Sequence, residues 1–450
     1  MAKVLLIQPS EERGLKKPVG DSSMPLGLIY IGSALKENGH VVQILDRNLI
    51  PSNKYLVNLL KKDWDFVGLG TFTGIMLYDA IDVSKLVKEN SNSIVVWGGF
   101  HPTIDPKNTL ENDYVDYIIR GEGEETFLKV LELYENGKDF SHLTGVNLNK
   151  IGCIEDLNKM TLPDYGLIDV KKYPNFYVLT SRGCPYRCTF CYNSYGSKGV
   201  KPYRDLEFKK AVQIIEDVVY KHKRKTFTIV DDNFPSNKQR MKKICNEISK
   251  LGIRFDTFSR ANYCDNETLS YLKKSGCWQV QIGVESGSQR ILNFLKKGTT
   301  VQMNAQAISN CRKRGILSHA SFMIGIPTET MEDIKSTLGF IKKHKPDLGG
   351  AGIFHPFPKT KLWDYCIERK LIKKIPQTIE EWADSYPIGF DGVKMNVSGI
   401  PDKVLIEYYG KINKIINRGR YLKKVLLYIK NKRIPDYRRV IGTLKYISRH

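Results

Sequence analysis

Short apolar runs alternate with helix-length amphipathic stretches along most of this chain, and they do so in two series. In the first series the runs are Lys3–Gln8, Val41–Asp46, Phe66–Gly70, Ile94–Trp97 and Tyr117–Ile119, with a helically spaced Leu26–Asn38 between the first two. Runs that are apolar at nearly every position belong to strands covered on both faces, and strands separated by helices pair in parallel through crossovers. The second series has runs at Phe227–Val230, Phe255–Phe258, Val280–Val284, Ala320–Ile324 and Ala351–Phe354. Helical patterns separate them at Phe208–Lys223, Lys238–Lys250, Asn266–Lys274, Val301–Arg314 and Met331–His344. The expected architecture is α/β: a doubly wound sheet over residues 1–140, a linker over 141–175, a whole or partial barrel over 176–370, and a basic, mostly helical region over 371–450.

In such folds ligands lie at the carboxyl ends of the strands. The first series has glycine-rich loops there: Gly70-Thr-Phe-Thr-Gly74, Gly98-Gly-Phe-His-Pro102 and Gly121-Glu-Gly123. The second has Asp231-Asp232-Asn233, Arg260, Glu285-Ser286 and Gly325-Ile326-Pro327. A dinucleotide site is excluded on local evidence, because the first strand runs into Gln8-Pro9 with no G-x-G-x-x-G turn, and no P-loop pattern is present.

Among nine cysteines, three are close together: Cys184-Pro-Tyr-Arg-Cys188-Thr-Phe-Cys191. One short loop can aim all three thiolates at a single centre. Zinc is the plain alternative, but a closed structural zinc site takes four ligands, and no fourth Cys or His lies within a few residues. Three thiolates on a four-iron cluster leave one iron open to a ligand that is not protein.

Cys184, Cys188 and Cys191, with Phe190 before the third, resemble the signature of the radical S-adenosylmethionine (SAM) superfamily. The resemblance implies a 4Fe–4S cluster on the three cysteines, with SAM chelated by the open iron and cleaved to a 5′-deoxyadenosyl radical. It also implies SAM contacts at Phe190, Asp231, Asp232, Asn233, Arg260, Glu285, Ser286 and Ile326. Pro356-Phe-Pro-Lys-Thr360 is similar to a sixth-strand box of the family, with Lys359 in place of the usual glycine. The first series, with Met24-Pro-Leu-Gly-Leu28 and Val115–Glu125, is similar to the Rossmann-like cobalamin-binding domain that precedes many of these barrels. Cobalamin contacts are then expected at Gly70, Thr71, Thr73, Gly74, Gly98, Gly99, His101, Gly121 and Glu122. None of the eight histidines stands in Asp-x-His-x-x-Gly, so cobalt is expected to have no histidine below it.

The implied function is an enzyme: methyl transfer from methylcobalamin to an unactivated carbon, less often phosphorus, with no protein acid–base or nucleophilic residue required. The alternatives are radical oxidative cyclisation or rearrangement, RNA modification, and a non-catalytic cluster- or cobalamin-binding protein. A one-electron reductant such as flavodoxin or ferredoxin is implied. The charge balance, 70 Lys and Arg against 48 Asp and Glu, favours an anionic partner. From Lys411 onward 13 basic residues face one acid, Asp436, so this tail holds +12 of the net +22. It reads as a helix packed on the barrel or as a basic amphipathic helix resting on anionic lipid or RNA. The expected substrate is a small or lipid-like molecule, nucleic acid is not expected, and no apolar run is long enough to span a bilayer. The expected location is the cytoplasm, with the inner membrane face as a peripheral contact.

Overall fold

The computed structural model describes residues 1–11, 23–194, 203–385 and 393–417. They form two compact units, Met1–Tyr173 with Lys374–Lys394, and Pro174–Lys373 with the residues from Met395.

The first unit is built on a parallel sheet of β1 (Lys3–Gln8), β2 (Val41–Asp46), β3 (Phe66–Thr71), β4 (Ile94–Gly99) and β5 (Tyr117–Arg120), in the order β2-β1-β3-β4-β5. Helices α1 (Leu26–Glu37), α2 (Asn53–Leu60), α3 (Met76–Asn90), α4 (Phe100–Ile104), α5 (Pro106–Leu110) and α6 (Glu124–Glu135) make the connections. Val4, Leu5, Leu6 and Ile7 are all buried, which explains why β1 reads as an unbroken apolar run. The strand order reverses direction between β1 and β3, and a crevice at such a switch point is where doubly wound sheets take ligands. Residues 141–173 pack as part of this unit; three of their turns are 3₁₀ helices capped by Asp156, Asp164 and Asp169.

The second unit contains β6 (Tyr177–Val178), a hairpin of β7 (Ser181–Gly183) and β8 (Tyr203–Asp205), then β9 (Thr226–Ile229), β10 (Arg254–Ser259), β11 (Cys277–Glu285), β12 (Leu317–Ile324) and β13 (Leu348–Ile353). Apart from the hairpin, all strands join one parallel sheet in the order β6-β9-β10-β11-β12-β13. This is a partial barrel of six strands, with β6 and β13 at its edges. Its helices are α7 (Phe208–Tyr220), α8 (Lys238–Ile248), α9 (Asn266–Lys274), α10 (Gln289–Phe294), α11 (Val301–Lys313), α12 (Met331–His344) and α13 (Lys361–Glu368).

Helix α14 (Ile379–Ser385) belongs to the first unit, where the Tyr78 hydroxyl donates to Asp384 at 2.7 Å. Helix α15 (Asp402–Asn417) belongs to the second. There Asn413 treats β13 as a neighbouring strand would: its Oδ1 accepts from the Ala351 N–H at 3.0 Å, and its Nδ2 donates to the Ala351 carbonyl at 3.2 Å. The basic tail beyond Asn417 lies outside the described residues. Among the described residues no helix is long and apolar enough to cross a membrane.

Lys359 adopts φ 63°, the left-handed region, so the turn keeps the form a glycine would give it. Replacement by glycine relieves that conformation, and K359G is expected to raise the unfolding free energy of the barrel by up to about 1 kcal/mol in denaturant titrations. N413A removes both bonds to Ala351 and is expected to cost about 1–3 kcal/mol, with faster amide exchange at Ala351 as its local signature.

Candidate functional site

The cysteine loop leaves β7 and is held by backbone bonds to its surroundings. Thr189 N–H donates to the Leu295 carbonyl at 3.0 Å, Leu362 N–H donates to the Thr189 carbonyl at 2.9 Å, and Cys191 N–H donates to the Cys188 carbonyl at 3.1 Å. Cys188 is buried, and Cys184 and Cys191 are half-buried. Burial pushes the Cys184 thiol up and the Cys191 thiol up to about 12, so neither ionises unaided. A coordinated cation is what would hold them as thiolates. Among the described residues no three His, Cys, Asp or Glu side chains are drawn together tightly enough to hold a single metal ion, the three cysteines of this loop included. Three soft sulfurs on one short loop fit the open-cornered cluster.

Three side chains brace this loop from the barrel. Arg260, just beyond β10, has its guanidinium carbon 3.6 Å from the centre of the Tyr186 ring. Its Nη1 donates to Cys188 Sγ at 3.2 Å, and its Nη2 donates to the Lys297 carbonyl. Asn262 Nδ2 donates to the Tyr186 hydroxyl at 2.8 Å. Tyr186 in turn donates to the Tyr263 hydroxyl at 3.2 Å.

The expected SAM contacts divide into two groups. Asp231 is fully buried and accepts from Thr180 N–H, Thr180 Oγ1 and Ser181 Oγ, each at 2.6 Å. Asn233 donates to Ser236 Oγ at 2.7 Å and accepts from Arg260 N–H at 3.1 Å. Ser286 lies 3.2 Å from Thr337 Oγ1 and accepts from Ser288 N–H at 3.1 Å. These side chains are spent inside the protein and shape the strand ends. Asp232, beside the cysteine loop, has an exposed surface, but its carboxylate also accepts from Asn193 and from the Gly183 N–H, and local burial pushes it up. Glu285 sits at φ 64°, where the β11–β12 register shifts, and its carboxylate meets Lys297 Nζ at 2.6 Å. Lys297 Nζ also lies 5.8 Å from the centre of the half-buried Phe190 ring. A Cβ at Gly283 would come within 2.4 Å of Glu285 and 2.8 Å of Lys297, so glycine there makes room for the pair. Ile326 is buried, and its N–H and that of Gly325 donate to Glu329 at 3.3 and 2.6 Å. Burial pushes Glu329 up to about 8, and its Oε1 has no partner. An orphaned buried atom at Glu329 Oε1, with a ready carboxylate–ammonium pair, fits a charged, hydroxyl-bearing ligand such as SAM.

In the first unit, hydrogen bonds link the ends of β3, β4 and β5. Thr71 Oγ1 donates to the Gly98 carbonyl at 3.0 Å, Thr103 Oγ1 donates to the Gly99 carbonyl at 2.7 Å, and Gly121 N–H donates to Thr103 Oγ1 at 2.9 Å. Gly99 has φ 96°, and a Cβ there would lie 2.6 Å from the Thr71 carbonyl oxygen. Gly121 has φ 84° and faces the Gly152 carbonyl, while Glu122 accepts from Ile154 N–H at 2.6 Å. Both therefore fasten the 141–173 segment. Gly70 packs against Leu28, Gly98 makes ordinary contacts, and Gly74 closes the β3 loop. Within that loop Phe72 is 49% exposed and stacks on Phe100 at 4.6 Å and 18°. Thr73 Oγ1 lies 3.2 Å from His101 Nδ1. His101 is fully buried, its ring is 6.4 Å from that of Trp382, and its Nε2 has no partner. An orphaned imidazole nitrogen beside glycine-rich strand ends fits a ligand with amide edges, as cobalamin is.

Sequence reasoning missed Lys297, Tyr186, Glu329 and Phe72. Lys297 stands in a Lys-Lys-Gly run that resembles a solvated turn, whereas Tyr186 and Phe72 lie inside loops already singled out.

Burial holds His101 down at about 3 from its usual 6.5. Between those values the unfolded chain takes up a proton that the folded chain refuses, so stability is full above pH 6.5 and drains as pH falls. The slope from this residue approaches about 1.4 kcal/mol per pH unit. Isothermal unfolding of H101Q and the native chain at pH 8 and pH 5 is expected to show a smaller acid loss in the variant.

Two family models match this chain: the radical SAM superfamily over residues 178–341, and the B12 binding domain over residues 13–131. The chain is 34% identical over 394 residues to an uncharacterized methyltransferase of Pyrococcus horikoshii, covering 82% of this chain and 84% of that protein. It is 27% identical to the anaerobic magnesium-protoporphyrin IX monomethyl ester cyclase of Rubrivivax gelatinosus, over 80% of this chain and 69% of that protein. The structure of the radical SAM methyltransferase TsrM from Kitasatospora setae, with cobalamin and a 4Fe–4S cluster bound, matches with a TM-score of 0.70. That match covers 82% of this chain and 75% of the other at 18% identity, and shows a common fold. Three cysteines on one short loop of a partial barrel, a preceding doubly wound domain and these similarities place the chain in the radical SAM superfamily, among its members with a B12-binding domain.

Proposed function

We propose that the chain is a cobalamin-dependent radical SAM methyltransferase acting on an unactivated carbon, less often phosphorus, of a small or lipid-like substrate. The observation that carries this reading is the three-cysteine loop, braced by Arg260 beside the buried Glu285–Lys297 pair. When bound, the cluster with SAM supplies a carbon-centred radical and cobalamin supplies the methyl group.

The residues of this chain bind, orient and exclude water. Cys184, Cys188 and Cys191 hold the cluster. Asp232 is suited to the ammonium of SAM, Glu285 and Lys297 to its hydroxyls, and the Gly325–Glu329 turn to its base. His101 offers one nitrogen to an amide of the corrin rim. In this reading residues 1–140 are the cobalamin-binding domain and 176–370 the barrel. The setting is cytoplasmic, with an electron from a flavodoxin- or ferredoxin-like reductant. The basic region from Lys411 is offered to anionic lipid.

The named methyltransferase of Pyrococcus horikoshii supports methyl transfer. A second reading, radical oxidative cyclisation, is favoured by the likeness to the ester cyclase. Product analysis with labelled SAM, under reducing conditions with cobalamin and with candidate substrates, separates them. Methyl transfer is expected to yield both S-adenosylhomocysteine and 5′-deoxyadenosine. Turnover of substrate with 5′-deoxyadenosine alone would favour cyclisation, and no SAM cleavage would refute both.

A further inference from the structure

We infer that Arg260 acts on the cluster through sulfur: its guanidinium donates a charged hydrogen bond to Cys188 and sets how readily the cluster accepts an electron. This rests on the cluster assignment made under Proposed function.

The side chain has little freedom to do otherwise. It is 5% exposed, and its backbone N–H is tied to Asn233 Oδ1 at 3.1 Å. Its flat face lies on Tyr186, a residue of the cysteine loop itself, at 3.6 Å. Nη1 is taken by Cys188 Sγ at 3.2 Å and Nη2 by the Lys297 carbonyl. With both terminal nitrogens committed, the two-pronged contact that a guanidinium offers a carboxylate is no longer available to a ligand. Only Nε is left without a partner.

A guanidinium stays charged throughout the working pH range. Hydrogen bonds to ligand sulfur, and net charge nearby, are among the means by which proteins tune iron–sulfur potentials. A fixed cation against a thiolate favours the form of the cluster carrying one more electron. The electron comes from an external flavodoxin- or ferredoxin-like reductant, and no bond to Arg260 forms or breaks. Arg260 is thus a positioning and tuning residue. Lys297 shares in this arrangement: its carbonyl anchors Arg260 and its ammonium anchors Glu285.

The test uses full-length native protein, R260Q and R260K, each reconstituted without oxygen. Iron and sulfide are counted, the midpoint potential is measured by redox titration of the reduced-cluster EPR signal without SAM, and SAM affinity is measured separately. R260Q is expected to keep native iron and to show a more negative midpoint, with R260K between it and the native protein. R260Q losing iron that R260K retains would also support a cation at the sulfur. Native iron with an unshifted midpoint in R260Q overturns the inference, and weakened SAM binding in that variant would mark Arg260 as a direct ligand instead. Loss of iron from both variants overturns it too, by assigning the residue to loop folding. Native protein that binds no iron would instead refute the cluster reading beneath it.

Discussion

Parallel pairing sends every strand of a sheet to finish on the same side, and that constraint decides where either unit can build chemistry. In the barrel, the residues beyond β9 supply Asp231 to Asn233, β10 leads into Arg260, β11 ends in Glu285, and β12 runs into Gly325 and Ile326. In the first unit, β3 and β4 lead into Phe72 and Phe100. Residues far apart in sequence become neighbours because the sheet delivers them together. The cysteine loop then has to be fastened to that edge, and Arg260 does so with one guanidinium.

The polar groups on this edge answer to two demands. A carboxylate buried as fully as Asp231 is costly unless donors surround it, and Thr180 and Ser181 provide them. Ser286 and Asn233 are similarly consumed. These groups make a rigid frame in which the few uncommitted groups stand. The Glu285–Lys297 pair is held in that frame at little exposure, where removing either partner strands the other's charge at a cost of about 3–5 kcal/mol. Glu285 is also in the left-handed region, a conformation that persists only where its surroundings impose it.

The strands were legible because they are buried on both faces: β1 and β2 lie at the expected residues, and β3 extends one residue beyond Gly70. The loops that gather the thiols and glycines were legible from spacing. What the sequence left undetermined was direction. In Asp231-Asp232-Asn233 nothing tells which carboxylate turns inward, yet the structure buries Asp231 and exposes Asp232. Lys297 is indistinguishable in sequence from its neighbour Lys296, and only the fold brings it to Glu285. Residues 374–394 joining the first unit likewise depends on contacts far apart along the chain. Lys359 shows the converse: the family's glycine is missing, but the turn's geometry survives because a lysine accepts the same φ.

The amide of Asn413 against Ala351 has a bearing on how the chain tolerates shortening. β13 ends the barrel sheet, and an uncovered terminal strand is a template for recruiting another polypeptide. Removal of the cationic tail is compatible with a monomeric barrel only if the cut falls after Asn417. A break before α15 would trade a question about membranes for one about self-association.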